Sequence, residues 1–317
     1  MKIVFMGTPE IAAKVLKSLI DSGRHEIAAV VTQPDKPKGR GHEMAFSEVK
    51  ETALKEGIRV LQPEKASDPA FLEEIRNIAP DVICVAAYGK ILRPVLLDMP
   101  RFGCINVHAS LLPKYRGAAP IQWAVLNGEE KSGVTIMHMA AGLDTGDMII
   151  KEEVPLSKDE TAGSLHDKLA DIGGPLLLKA LDLIEKGEAP RIPQDESQAT
   201  YVSTIDKSFG NVDFSEPAEK LERFLRGLDP WPSAFTKLNG KNLKLFRGEV
   251  KEAGSLPEEY KNAVPGTVVY VSQDSFDVLC GEGIISIKQL QLEGKKRMDT
   301  ADFLRGYVIT PGTVLGE

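Results

Sequence analysis

The sequence predicts an α/β protein in two parts: a doubly wound, mostly parallel sheet, followed by a smaller β-barrel of OB-like type. Over the first 150 of its 317 residues, short β-branched runs alternate with amphipathic segments of helix length. This alternation is typical of a parallel sheet covered by helices. After residue 232, short apolar runs follow one another with only turn residues between them, which is typical of a small barrel.

The elements of the first part follow from these patterns in chain order. We predict strands over residues 2–6, 27–32, 59–61, 82–86, 104–107 and 134–139. We predict helices over residues 9–20, 47–55, 70–78 and 119–126, the last of which begins near Pro120 and ends before Gly128. A long helix over residues 162–185, interrupted at Gly173-Gly174-Pro175, completes this part.

The second part begins after a polar segment. Residues 190–206 contain two prolines and no clear period, so we predict a linker there. A helix is predicted over residues 216–225, and strands over 235–238, 243–246, 267–271, 276–279 and 284–287. We therefore divide the chain into an α/β domain at 1–189, the linker at 190–206 and a barrel domain at 207–317.

Composition argues against several broad classes of protein. The net charge of −7 argues against an indiscriminate binder of nucleic acid or of anionic membranes. No apolar run approaches the roughly 18 residues of a membrane span, and no signal segment is visible. The three cysteines, Cys84, Cys104 and Cys280, have no metal-ligand spacing. We expect a soluble, cytoplasmic monomer with reduced thiols and no metal.

The first strand ends in Gly7-Thr8-Pro9, which invites comparison with a dinucleotide-binding turn. That turn requires a second glycine where the backbone approaches the pyrophosphate, and this chain has Pro9 there. No P-loop sequence occurs either. The sequence therefore argues against a nicotinamide enzyme and against a P-loop ATPase.

Two polar side chains lie at the end of the fifth predicted strand. Asn106 and His108 share one face, because side chains alternate along a strand. An amide and a protonated imidazole both donate hydrogen bonds, so the pair suits a developing oxyanion. The nearby Ser110 is not in a nucleophile elbow, and we interpret it as a cap.

A carboxylate could keep that imidazole charged. The turn Gly142-Leu143-Asp144-Thr145-Gly146-Asp147 joins two predicted strands and can reach the end of the strand that carries His108. Spacing alone leaves the choice open. Either Asp144 or Asp147 could serve, and Asp144 could equally cap its own turn.

At these residues the sequence resembles the folate-dependent formyltransferases. The resemblance rests on Asn106-x-His108, on the following Ser110-Leu111-Leu112-Pro113-x-x-Arg116-Gly117 and on Leu143-Asp144-Thr145-Gly146. Other landmarks resemble the members that act on tRNA and extend along the chain: Met6-Gly7-Thr8-Pro9, Gln33-Pro34-Asp35-Lys36-Pro37-x-Gly39-Arg40-Gly41, Ala118-Ala119-Pro120-Ile121-Gln122 and Asp229-Pro230-Trp231-Pro232.

The resemblance implies a formyltransferase-like fold and transfer of the formyl group of 10-formyltetrahydrofolate to an amine. It places the catalytic roles on Asn106, His108 and Asp144. It places the folate contacts on Ser110, Leu111, Leu112 and Pro113. One departure concerns the residues before Gly142, where the family often has an acid and this chain has Ala140-Ala141.

The resemblance also implies a partner, initiator Met-tRNA, whose methionine amine accepts the formyl group for translation initiation. It implies that an inserted loop at about 33–50 reaches the acceptor stem, with Arg40 as its principal contact. Basic residues cluster in that loop and in the second part of the chain, and we expect the tRNA contacts among Lys36, Lys38, Arg40, Lys241, Lys244 and Arg247. A solvated strand edge is the alternative for each cluster.

Three other functions compete with this one. The acceptor could be another amine, on an amino sugar or a purine precursor. Water could replace the amine, which would make the protein a formyltetrahydrofolate hydrolase. The barrel could also be a non-catalytic RNA-binding module, although the intact set of Asn106, His108 and Asp144 argues against that.

Overall fold

The computed structural model describes residues 1–38, 43–251 and 258–316. The chain divides into two compact units. The first unit comprises Met1–Pro120, Lys131–Pro155 and His166–Val202, and the second comprises Ile121–Glu130, Leu156–Leu165 and Ser203–Glu317.

The chain up to residue 202 contains eleven strands and six helices within the described residues. The strands are β1 Lys2–Gly7, β2 Glu26–Val31, β3 Lys36–Lys38, β4 Glu43–Ala45, β5 Val60–Leu61, β6 Val82–Ala86, β7 Cys104–His108, β8 Arg116–Gly117, β9 Lys131–His138, β10 Met148–Pro155 and β11 Tyr201–Val202. The helices are α1 Glu10–Ser22, α2 Glu48–Lys55, α3 Pro69–Ile78, α4 Pro94–Leu97, α5 Pro120–Leu126 and α6 Ala162–Lys186.

Seven of these strands form the main sheet of the first unit, in the order β10-β9-β7-β6-β1-β2-β5. The strands from β7 to β5 are parallel, whereas β9 pairs antiparallel with both β7 and β10. The predicted doubly wound, mostly parallel sheet is therefore confirmed. Strand order reverses between β1 and β6, so ligands are expected beyond the carboxyl ends of the strands in this region. Strand β7 pairs with β6 and therefore lies close to this reversal.

Local sequence explains where several helices begin. Helix α2 begins after Ser47, whose hydroxyl accepts the N–H of Lys50 at 3.1 Å, which is the usual N-cap bond. Helix α3 begins with Pro69. Proline has no backbone N–H, and in the first turn of a helix that N–H would have no partner within the helix. Its buried face, including Phe71 and Ile75, packs in the same apolar cluster as the sheet residue Val85.

The predicted interruption of the long helix is wrong. Helix α6 runs without a break through Gly173-Gly174-Pro175. A Cβ on Gly174 would lie 2.3 Å from that of Ser18 on α1, and one on Gly173 would lie 3.3 Å from Val15 Cγ2. Close packing against α1 requires glycine at these positions, so the pair reflects tertiary contact and not a helix end.

The sequence patterns also missed several short elements. Helix α4, the antiparallel β3–β4 pair and the parallel β8–β11 pair contain only two to four residues per element, too few for a period to be visible. The β8–β11 pair matters for the site, because β11 and the 3₁₀ turn Glu196–Gln198 both lie in the segment predicted as a linker.

The part of the chain from residue 203 onwards, which makes up most of the second unit, contains an antiparallel sheet and two α-helices among its described residues. Its elements are α7 Ala218–Gly227, β12 Ala234–Leu238, β13 Lys241–Lys251, β14 Val268–Val271, β15 Phe276–Leu279, β16 Ile284–Leu292, β17 Met298–Asp299 and α8 Thr300–Leu304. The strands lie in the order β12-β13-β16-β15-β14, and β17 pairs with β16. Leu221 and Leu225 of α7 pack in the core of this sheet.

The end of the chain connects the two outer strands of this sheet. The N–H of Gly316 donates to the carbonyl of Lys237 on β12, and the N–H of Leu315 donates to that of Gly266, just before β14, both at 2.9 Å. The predicted succession of strands in this part is confirmed, while closure into a barrel stays a prediction. No helix in the described residues has the length and apolar composition needed to cross a membrane.

Candidate active site

Asn106 and His108 project from β7 next to the reversal of strand order. Both are buried, with 9% and 6% of their surfaces exposed, and both belong to the strand that pairs with β6 on one side and β9 on the other. The side-chain amide of Asn106 makes no hydrogen bond to any residue that the structure describes. The amide atoms of Asn106 are not among the fully buried polar atoms that lack a partner, so they reach the accessible surface and are available to a ligand.

The imidazole of His108 is oriented by a backbone carbonyl. Its Nε2 lies 3.0 Å from the carbonyl oxygen of Tyr115. Because a carbonyl only accepts hydrogen bonds, Nε2 carries the proton in this arrangement. The other ring nitrogen, Nδ1, lies 3.7 Å from Oδ2 of Asp144. That separation is long for a hydrogen bond but short enough for an ion pair when Nδ1 is protonated.

Asp144 is the acid of the 142–147 turn that faces His108. Its backbone is in the left-handed region, with φ of 51°. Its Oδ2 accepts the N–H of Gly117 at 2.8 Å, a bond to a distant residue and not a cap of its own turn. Asp147 instead lies 3.5 Å from the guanidinium of Arg191 at the surface. The structure therefore brings Asp144, and not Asp147, beside the imidazole.

The predicted folate segment, Ser110, Leu111, Leu112 and Pro113, forms the loop after β7 and is attached to β9 by Thr135. The Thr135 hydroxyl donates to the carbonyl of Ser110 at 2.7 Å and accepts the N–H of Leu112 at 3.2 Å. The Ser110 hydroxyl donates to the carbonyl of Lys114 at 2.8 Å. A serine bonded in this way within its own loop acts as a cap, as its sequence context suggested.

Two residues that the sequence does not assign to the site are connected to Asp144 by hydrogen bonds. The side chain of Gln194 bonds to the turn that carries Asp144, and Arg116 bonds to Gln194. Arg116 is fully buried, and its hydrogen bonds to Glu196 raise the pKa of its guanidinium and lower the pKa of the Glu196 carboxyl. Arg116 belongs to the motif that carries the family resemblance, whereas Gln194 lies in the segment that the sequence predicts as a linker.

The described residues offer neither a reactive thiol nor a group of acids, histidines and cysteines that could hold a metal. All three cysteines are buried. Burial raises the pKa of the Cys104 and Cys280 thiols to about 12, and raises that of Cys84 as well. Such thiols stay protonated near neutral pH, and only a thiolate is an effective nucleophile.

Five of the six predicted tRNA-binding residues lie on two strands. Lys241, Lys244 and Arg247 belong to β13 in the second unit, where Lys241 and Arg247 are exposed and Lys244 is half-buried. The nearest acid to Arg247 is Glu249, 3.9 Å away. Lys36 and Lys38 belong to β3 in the first unit. Arg40 lies outside the described residues.

Comparison with family models agrees with this arrangement of elements. A model described as formyl transferase matches residues 1–181 of the chain. A second model, described as the C-terminal domain of formyl transferase, matches residues 204–308.

Comparison with individual proteins agrees as well. The chain is 53% identical over 318 residues to a methionyl-tRNA formyltransferase of Lachnospira eligens, covering 100% of both chains. It is 50% identical over 313 residues to a methionyl-tRNA formyltransferase of Agathobacter rectalis, covering 99% of both.

Two solved structures share the fold at low sequence identity. The sugar 3N-formyl transferase WlaRD, crystallised in the presence of dTDP and 5-N-formyl-THF, has a TM-score of 0.66 at 21% identity, with 93% of this chain and 99% of that chain covered. HypX from Aquifex aeolicus, in complex with tetrahydrofolic acid, has a TM-score of 0.63 at 18% identity, with 96% and 47% covered. With the family models and the full-length relatives, these findings show that the chain belongs to the formyl transferase family, among the methionyl-tRNA formyltransferases.

Proposed function

We propose that this protein transfers the formyl group of 10-formyltetrahydrofolate to the α-amino group of methionine on initiator tRNA. The single observation that carries the chemistry is the accessible side-chain amide of Asn106, which has no partner among the described residues and lies two residues from His108, itself beside Asp144. Full-length relatives with about half of their residues identical carry the name of this activity, and this supports the choice of acceptor. We propose that the reaction takes place in the cytoplasm.

The donor supplies an activated formyl carbon, and the uncharged methionine amine attacks it. The bond between the formyl carbon and the folate nitrogen then breaks, and a proton of the amine moves to that nitrogen. Negative charge develops on the formyl oxygen during the attack. The amide N–H of Asn106 and the Nδ1–H of protonated His108 would donate to that oxygen. Nδ1 is the nitrogen that remains available, because Nε2 already has the Tyr115 carbonyl as its partner.

Asp144 would act on His108 and on the amine proton. Its carboxylate lies 3.7 Å from Nδ1 and would form an ion pair with the imidazolium that donates to the oxyanion. It could also accept the proton of the attacking amine through water and pass it on. Direct transfer of this kind requires no covalent enzyme intermediate, which is consistent with a bonded Ser110 hydroxyl and buried, protonated thiols.

The loop of Ser110, Leu111, Leu112 and Pro113 would hold the folate next to these groups. Its position is fixed from β9 by the two bonds of Thr135. A Cβ on Gly133 of the same strand would lie 2.5 Å from Leu111 Cδ2, so the loop packs as closely on β9 as a glycine allows. A loop held in this way can present the donor without rearranging, which lowers the entropic cost of the reaction.

We propose that tRNA contacts lie on β13 and in the loop that contains Lys36, Lys38 and Arg40. On β13, Lys241 and Arg247 are exposed and can approach phosphates, although Glu249 lies 3.9 Å from the Arg247 guanidinium; Lys244 lies between them. These contacts are electrostatic and local, which is compatible with a net charge of −7 for the whole chain.

Neutralising the two exposed cations of β13 should weaken tRNA binding specifically. We expect Lys241→Gln combined with Arg247→Gln to raise the KM for Met-tRNA roughly tenfold and to reduce its salt dependence, while kcat stays the same. Initial rates at several salt concentrations measure both effects. The matched control is Lys220→Gln with Lys261→Gln, which removes the same charge from exposed lysines that pair with Glu216 and Glu258. Equal effects from both pairs would contradict a local tRNA surface.

One assay distinguishes the proposed activity from its rivals. 10-Formyltetrahydrofolate is supplied with initiator Met-tRNA, with glycinamide ribonucleotide, with a dTDP-linked amino sugar or without an acceptor, and the release of tetrahydrofolate is followed. We expect release only with Met-tRNA. Release without any acceptor would indicate a hydrolase, and release with another amine would indicate a different transferase.

A further inference from the structure

Gln194 connects the segment before β11 to the turn that carries Asp144. Its side chain is buried, with 9% of its surface exposed. Its Nε2 donates to the backbone carbonyls of Asp144 and Gly146, each at 2.8 Å. Two hydrogen bonds from one amide therefore hold the backbone on either side of Thr145.

The other end of the same amide is held by a buried cation. Oε1 of Gln194 accepts from Nε and Nη2 of Arg116, at 3.0 and 2.9 Å. Arg116 is itself fixed by bonds to both carboxylate oxygens of Glu196 and to the hydroxyl of Tyr201. An arginine can only donate and a carbonyl can only accept, so the amide of Gln194 has one possible orientation.

Gln194 and Arg116 stabilise the backbone conformation of Asp144. Asp144 is a non-glycine residue in the left-handed region, a conformation that persists only when its surroundings enforce it. Its carboxylate is held by the N–H of Gly117, the residue after Arg116. Both residues of β8 therefore help to fix Asp144. Gly117 binds its carboxylate directly, and Arg116 holds Gln194, which binds its backbone carbonyl.

We propose that Gln194 is a positioning residue for Asp144, held in place by Arg116, and that it maintains the approach of Asp144 to His108. The inference rests on the role given to Asp144 in the proposed function. It also assigns a role in the reaction to the polar segment after α6, which the sequence pattern presented only as a linker.

The first test compares two variants of Gln194 with a matched control. Gln194→Ala should lower kcat about 100-fold, as expected for a displaced reacting group, with KM values within twofold of wild type. Gln194→Glu keeps an acceptor for Arg116 but loses both donors to the turn, so it should show the same loss. The control is Gln198→Ala, an exposed glutamine of the same segment whose side chain, among the described residues, bonds only to Asp195, and it should retain full kcat. Near-normal kcat for Gln194→Glu would overturn the inference.

The second test asks whether the effect passes through Asp144. Asp144→Asn should lower kcat by itself, and adding Gln194→Ala to it should cause no further loss, because residues that act as a unit are not additive. A further 100-fold loss in the double variant would overturn the positioning role while leaving the role of Asp144 intact. Normal kcat for Asp144→Asn alone would instead contradict the proposed function, and the inference with it. Thermal unfolding of each variant identifies any loss that is due to misfolding.

Discussion

Replacing His108 with alanine is expected to lower kcat for formylation of Met-tRNA by ~10²–10³, the usual effect of removing one donor to an oxyanion. The substitution removes the Nδ1–H that we assign to the formyl oxygen, together with the ring that lies 3.7 Å from the Asp144 carboxylate. Affinity for the folate should change little, because the proposed bond to His108 forms as charge develops. Turnover at saturating substrates and direct titration of folate binding measure the two quantities separately.

The chain provides a matched control for this substitution. His166 lies on α6 beside Asp167, with its Nδ1 3.3 Å from that carboxylate, so it resembles His108 in type and in having an acidic neighbour. His166→Ala should retain wild-type kcat. If His108→Ala also stayed within threefold of wild type, the electrostatic role assigned to His108 would be wrong.

Replacing Asn106 is expected to separate activity from stability. Because its amide has no partner among the described residues, Asn106→Ala removes no hydrogen bond to any of them. It should nevertheless lower kcat by ~10²–10³, since it removes the second donor to the oxyanion. Urea unfolding should show a much smaller change than the loss of a buried, bonded side chain would cause.

Asn106→Asp provides the stricter comparison. The carboxylate has nearly the shape of the amide, but it replaces an N–H donor with a negative charge aimed at the developing oxyanion. We expect a larger loss of kcat from Asn106→Asp than from Asn106→Ala. An aspartate variant more active than the alanine variant would show that Asn106 fills space and does not donate.

The sequence predicted the parts of the site that depend on strand period. Asn106 and His108 share a face because side chains alternate along β7, and this requires no tertiary information. The mostly parallel sheet followed from the alternation of strands and helices in the same way. The resemblance to formyltransferases added Asp144, which spacing alone could not separate from Asp147.

What the sequence could not predict depends on contacts between distant residues. The carbonyl that orients His108 belongs to Tyr115, a residue with φ of 61° whose conformation has no signal in its own side chain. Gln194 bonds to residues 48 and 50 positions away. Gly173-Gly174-Pro175 looked like a helix end because local propensity opposes a helix there, whereas packing on α1 maintains one. Each of these features is tertiary in origin.

We propose that Asn106, His108 and Asp144 act as one unit on the formyl group. The most direct test is kcat for transfer of labelled formyl to initiator Met-tRNA by the triple variant Asn106→Ala, His108→Ala, Asp144→Asn. If they act as one unit, the kcat of the triple variant should be close to the kcat of the least active single variant. The effects of groups that serve one transition state are far from additive. A triple variant slower by the product of the three single losses would show that they act independently, and would contradict the proposal.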